Sequence, residues 1–205
     1  STPVTQHKET SLQAVSIRKS LDHPQLIDLL KKAYSAEKAA SFAYQGHAAS
    51  VRDAEQKKAI RQIEQDEWNH RREVLLIMNQ YGIAPSRWYE IRFHIIGKII
   101  SFGCHVIGWF MPFYFAGKLE SGNVCEYFRM MHFFHSLGIN DHDEILYEMG
   151  MKEKEHEVYF LSKIKNNKLL PFFEKIFSWG KNSYNDVDLD KKYSVEESAK
   201  YCKRK

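Results

Sequence analysis

The residues of this chain best placed to do chemistry form two Glu-x-x-His pairs, Glu67 with His70 and Glu153 with His156. A glutamate and a histidine three apart on a helix project from one face, so both can reach one metal ion. An upstream glutamate precedes each pair, Glu37 by 30 residues and Glu120 by 33. Four carboxylates and two imidazoles in this pattern are the ligand set of a carboxylate-bridged di-iron or di-manganese centre inside a four-helix bundle. One Glu-x-x-His alone says little, because about one is expected by chance at this composition. Repetition carries the reading. Tyr44 follows Glu37 by seven residues and Tyr127 follows Glu120 by seven. The same helix–turn–helix unit is therefore written twice, as a pseudo-twofold metal site requires.

The surroundings of the glutamates supply the energetic argument. Glu37, Glu67, Glu120 and Glu153 occupy helical stripes otherwise filled by Ala, Ile, Val, Met or Tyr. Burying an unpaired carboxylate costs several kcal/mol or forces it to stay protonated. No stripe carries enough Lys or Arg to pair four of them, whereas two metal cations would neutralise the set. Oxygen-rich ligation with one imidazole per metal favours two iron ions, with manganese as the alternative, over zinc. Glu126 competes with Glu120 as the third-helix ligand, and the offset to Tyr127 favours Glu120. Tyr44 and Tyr127 are the candidate catalytic residues beyond the ligands, placed to support them. Asp66 and Asp143 are candidates for orienting a ligating imidazole. His47, His132 and His135 read as near-core histidines, and His94, His105 and His142 fall outside the repeat.

Positioning these groups takes four helices. Residues 1–20 lack periodicity and read as an N-terminal arm, 21–180 as one helical domain, and 181–205 as a polar, loosely ordered tail. The first helix is expected over 24–51, with Asp22 capping and Pro24 in its first turn. Asp53 caps the second, which Gly82 and Pro85 end. A third covers 118–137, and Asn140-Asp141 caps a fourth; a further amphipathic stretch runs from Leu169 to Trp179. No β pattern competes. Short links join helices one to two and three to four, and a long apolar crossover, about 85–117, joins the hairpins. The expected fold is all-α, a ferritin-like four-helix bundle.

Within the crossover, residues 99–117 contain no charged side chain beyond a protonated His105. The length just reaches that of a membrane span. Three glycines, Pro112 and flanking Arg92 and Lys98 argue instead for an interfacial segment, as does the need to keep both hairpins on one side. Trp88, Tyr89, Trp109, Phe110, Phe113, Tyr114 and Phe115 exceed what one covering helix should bury. A net charge of +4 is mild and suits an anionic membrane surface. The basic residues are dispersed, which argues against nucleic acid as a partner. Three cysteines without paired spacing suggest neither a disulfide framework nor a zinc site, and fit a reducing compartment. No secretory signal is expected from the polar first twenty residues.

Taken together, these residues resemble the demethoxyubiquinone hydroxylase family of ferritin-like, membrane-bound di-iron enzymes. The resemblance covers about residues 25–180 and rests on Glu37, the Asp-Glu-Trp-Asn-His run at 66–70, Ala-Gly-Lys-Leu-Glu at 116–120 and Lys-Glu-His at 154–156. It implies iron ligands Glu37, Glu67, His70, Glu120, Glu153 and His156, with Glu67 and Glu153 bridging. It also implies O2-dependent hydroxylation of a ubiquinone precursor, a prenylated ring held in the membrane, with electrons from an external donor. The expected location is the cytoplasmic face of a bacterial inner membrane or the matrix face of the mitochondrial one. Tyr34-Ser35-Ala36 before Glu37 departs from the family pattern, as expected of a divergent relative acting on another lipid. The rival expectations are a soluble di-iron enzyme acting on a tRNA base, fatty aldehyde or peroxide, and a non-enzymatic iron-binding bundle. A homodimer is left open.

Overall fold

The computed structural model describes residues 20–182 and 188–201, and every regular element among them is a helix. In chain order these are α1 (Pro24–Ser50), α2 (Ala54–Gln80), α3 (Arg87–Gly103), α4 (Phe110–Ser136), α5 (Asp143–Ile164), α6 (Leu170–Phe177) and α7 (Val195–Tyr201). The long helices α1, α2, α4 and α5 form a bundle of two hairpins, α1 packed on α2 and α4 on α5. Pro24 fills the first turn of α1, but His23 rather than Asp22 provides the cap, its Nδ1 accepting from the Leu26 amide at 3.0 Å. Asp53 caps α2 as expected, accepting from Gln56 N at 2.8 Å. The expected Asn140-Asp141 cap is replaced by His142, which makes no side-chain capping bond. Asp143 and Glu144 in the first turn of α5 meet its dipole instead.

Two apolar clusters fill the bundle. One joins the first half of α1 to the second half of α4 through Leu30, Val74, Met78, Phe128, Phe134 and Leu146. The other joins the opposite halves through Tyr44, Ile60, Ile63, Phe113, Phe160 and Ile164. α1 and α4 therefore run antiparallel. On each long helix the conspicuous glutamate lies in sequence between the two clusters. Ala33 and Ala40 flank Glu37, Ile63 and Val74 flank Glu67, Ala116 and Val124 flank Glu120, and Met149 and Phe160 flank Glu153.

The apolar run does not form one helix. α3 ends at Gly103, residues 104–109 turn with Gly108 at a φ of 86°, and α4 begins at Phe110, eight residues before the expected start. A left-handed residue at that turn favours glycine. Among the described residues no helix is long and apolar enough to cross a membrane. The two arms of the run take different roles. Phe110, Phe113 and Tyr114 are core residues, while Ile99, Phe102 and Val106 are 65%, 71% and 67% exposed. α3 lies against α1 so closely that a Cβ at Gly97 would stand 2.7 Å from Ala39 Cα. Glu90 clamps it there, meeting Lys38 Nζ at 2.6 Å, both Arg71 amino groups at 2.9 and 3.0 Å, and Ser35 Oγ at 2.8 Å. Partial burial pushes the Glu90 carboxyl up, but Arg71, Lys38 and Ser35 outweigh it and hold it at about 2.

The expected arm falls almost wholly outside the described residues. In the expected tail, residues 195–201 form α7, which docks on α4 and buries Tyr201. Cys104 is a free, buried thiol.

Candidate metal centre

Six side chains from four helices converge in the band between the apolar clusters. Glu37, Glu67, Glu120 and Glu153 are 0–4% exposed, and His70 and His156 are 6% and 4% exposed. They form two overlapping groups, Glu37, Glu67, His70 and Glu153, and Glu67, Glu120, Glu153 and His156. Within each group one ligand atom per residue lies within 4.8 Å of all the others. Each group could hold a metal ion. Glu67 and Glu153 belong to both, while Glu37 with His70, and Glu120 with His156, belong to one each. That is the connectivity of a dinuclear site with two shared carboxylates.

Local helix geometry explains the convergence. On α2 the three-residue offset puts Glu67 and His70 on the face toward α5, and on α5 it puts Glu153 and His156 toward α2. His70 Nδ1 stands 3.0 Å from Glu153 Oε1, reaching across the hairpins. His156 Nδ1 stands 3.2 Å from Glu153 Oε2, 3.4 Å from Glu67 Oε1 and 3.7 Å from Glu120 Oε2. Its Nε2 donates to Asp66 Oδ2 at 2.9 Å, fixing the ring with Nδ1 toward the carboxylates. Asp143, the other candidate orienter, pairs with His135 at 2.6 Å, away from the cluster.

The tyrosines exchange partners across the bundle. Tyr44 of α1 donates to Glu120 Oε1 of α4, and Tyr127 of α4 donates to Glu37 Oε1 of α1. Each thus holds one oxygen of the other half's glutamate. The remaining oxygens, Glu37 Oε2 and Glu120 Oε2, are buried with no hydrogen-bond partner, and both oxygens of Glu67 are equally unpartnered. Unsatisfied buried acceptors are rare because each costs about 1–3 kcal/mol, and more when charged. Four around one space are what bound cations would satisfy, so the donor set fits a metal pair.

The electrostatics agree. Burial, then the neighbouring Glu67, drives the Glu37 carboxyl well above its usual range; burial, then Glu153 and Glu120, does the same to Glu67. Burial and Glu120 raise Glu153. Burial also opposes ionisation of Glu120, but the adjacent Glu153 and His156 and the hydroxyl of Tyr44 bring it below its usual value. His156 is raised despite burial, through Asp66 and the surrounding glutamates, whereas burial leaves His70 lowered. Without cations the protein thus resists ionising Glu37, Glu67 and Glu153, a conflict that bound metal ions would remove.

All six sequence-predicted ligands therefore meet, and Glu120 rather than Glu126 is the third-helix member. Glu126 lies outside both groups; burial raises its carboxyl against Lys32 and Arg129. Among the other histidines, His142 stands 2.6 Å from the Tyr81 hydroxyl, and His94, His105 and His132 are exposed. Sequence reasoning missed the tyrosine exchange, since a seven-residue offset does not reveal which helix a side chain reaches. It also missed a buried ion pair, Lys154 Nζ to Glu157 Oε1 at 2.5 Å, in which Trp179 Nε1 donates to Glu157 Oε2 at 3.2 Å.

No family model matches the chain, and neither a curated protein nor a solved structure matches it at a significant level.

Proposed function

We propose that this chain is a ferritin-like di-iron monooxygenase that uses O2 to hydroxylate a membrane-borne aromatic lipid, with a ubiquinone precursor as the best-fitting substrate. The observation that carries the reading is the pair of buried groups sharing Glu67 and Glu153. Glu67 and Glu153 would bridge two irons, Glu37 and His70 would complete one site, and Glu120 and His156 the other. Iron bound there supplies the reductive activation of O2, with electrons from an external donor. Manganese is the alternative metal. Tyr44 and Tyr127 hold one oxygen of each non-bridging glutamate and leave the second free for metal. The apolar clusters on both sides keep water away from the centre.

The lipid part of the proposal rests on α3. Trp88, Ile91, Ile95, Ile99 and Phe102 recur at three and four along it and are 53–71% exposed. Val106, Ile107 and Trp109 extend the apolar surface through the following turn, with Arg87, Arg92 and Lys98 exposed nearby. Apolar side chains with basic neighbours suit peripheral attachment to one leaflet of a membrane carrying anionic lipid. The inner membrane of a bacterium or mitochondrion, on its cytoplasmic or matrix face, is the proposed location. The test is a lipid extract of cells with and without the protein. An accumulated ring precursor one hydroxyl short of the normal product supports the reading, and an unchanged lipid quinone profile contradicts it.

A further inference from the structure

A cavity lies outside the cluster. A pocket of about 410 Å³ opens where the 51–53 link meets the turn between α3 and α4, walled by His47, Val51, Gln56, Cys104, Trp109 and Pro112 among others. Its volume lies within the range that holds a substituted ring. Val106, Ile107 and Trp109, all exposed, belong to or adjoin the turn that forms its rim. Trp109 Nε1 donates to Gln56 Oε1 at 3.1 Å, which braces that rim against α2.

His47 is the informative wall residue. It is 2% exposed, and its Nε2 is buried without a hydrogen-bond partner. Its ring packs edge-on to Phe113 at 4.6 Å and stacks on Phe160 at 5.9 Å, and Phe160 in turn stacks on Tyr44 at 5.7 Å. Tyr44 donates to Glu120 of the cluster. The pocket is therefore joined to the metal-site groups by a continuous row, His47, Phe160 and Tyr44. Packing alone would be served as well by a phenylalanine, without an orphaned polar atom. Burial lowers the His47 imidazole to about 4, so the ring is neutral and offers one donor and one acceptor nitrogen.

We infer that this pocket is a binding site for a ligand with an apolar body and a single hydroxyl, which His47 recognises by hydrogen bonding. A hydroxyl both donates and accepts, so it satisfies Nε2 in either tautomer. Nε2 is inaccessible in this arrangement, so binding requires the ring to turn about χ2, a soft torsion for His, at the cost of its packing on Phe113 and Phe160. The site then selects ligands before they approach Tyr44 and the cluster. As an access site this rests on the proposed oxygenase function, although the binding itself does not.

The test uses the full chain with two probes of the same shape, 4-ethylphenol and 4-ethyltoluene. Equilibrium dialysis gives the affinities, and Trp fluorescence locates the ligand. His47→Phe is expected to weaken 4-ethylphenol about tenfold, as loss of one hydrogen bond implies, and to leave 4-ethyltoluene unchanged. His47→Gln retains phenol binding, and Trp109→Phe removes the fluorescence change. Equal phenol affinity in the unaltered protein and His47→Phe overturns the inference, as does a fluorescence change that survives in Trp109→Phe. Should His47→Phe not fold, the unaltered protein decides: 4-ethyltoluene bound more tightly than 4-ethylphenol overturns the inference. Iron content, measured on the same samples, separates the two proposals. Absent iron with intact phenol selection by His47 counts against the metal centre alone, and intact iron without that selection counts against the pocket alone.

Discussion

Replacing Glu67 with glutamine should stabilise the metal-free protein while destroying its response to metal. Glu67 is fully buried, belongs to both candidate metal groups, and has no hydrogen-bond partner on either oxygen. Burial, Glu153 and Glu120 all drive its carboxyl toward the neutral form. A group whose folded-state pKa is raised contributes stability below its unfolded value and loses it as pH rises through the folded one. In the metal-free protein the conflict therefore grows as pH rises above the ordinary glutamate range. Glutamine keeps the shape and removes the charge. An unsatisfied buried charged group costs upwards of about 1–3 kcal/mol, so removing it should gain about 2 kcal/mol at pH 8. In a chain of this size that is about 4–8 °C in Tm. Two sites held at a hundred times their Kd would stabilise the unaltered protein by about 5 kcal/mol. Thermal unfolding at pH 8, with chelator and then with anaerobic Fe(II), measures both effects. A metal-free Glu67→Gln protein less stable than the unaltered one, or a variant that keeps the full iron-induced shift, would refute the reasoning.

Other consequences are open to measurement. Asp66→Ala removes the acceptor of His156 Nε2, and calorimetric titration should show metal affinity falling about 10–100-fold at unchanged stoichiometry. Tyr127→Phe leaves Glu37 Oε1 without its donor; chelated protein should lose about 1–3 kcal/mol in urea unfolding, most of it regained with metal. Glu90→Ala releases the α3 clamp. The carboxyl is held at about 2, so its contribution is present above its unfolded pKa and lost as pH falls through about 2. With solvent screening the loss at neutral pH is about 1–2 kcal/mol, read from chemical unfolding at pH 7 against pH 2.5. Ile95→Asp with Ile99→Asp places charges on the exposed face of α3. Binding to anionic vesicles in a flotation assay should fall at least about a hundredfold, and unchanged flotation would remove α3 from the membrane contact.

The convergence of the candidate ligands was readable in advance because helical spacing transmits directly into space. Offsets of three place Glu67 with His70 and Glu153 with His156 whatever the tertiary detail, and interruption of an apolar stripe marks Glu37 and Glu120. Long-range geometry is a different matter. The antiparallel course of α1 and α4, which sends Tyr44 to Glu120 and Tyr127 to Glu37, depends on how two hairpins dock. The apolar run looked like one segment because composition cannot see the turn at 104–109. There Gly108 reverses the chain, so half the run is core and half faces outward. The capping residues were misjudged at two helix starts, where His23 and His142 stand in place of nearby acidic side chains. Docking of α7 on α4 was equally hidden, since seven mostly polar residues carry little periodic signal.

The most direct test of the central claim is the iron content of the purified chain, loaded anaerobically with Fe(II) and desalted, beside Glu67→Ala and Glu153→Ala. Because both residues belong to both groups, the prediction is about two irons per chain in the unaltered protein and almost none in either variant. An unaltered protein that retains no iron, or variants that retain as much as the unaltered protein, would contradict the di-iron account.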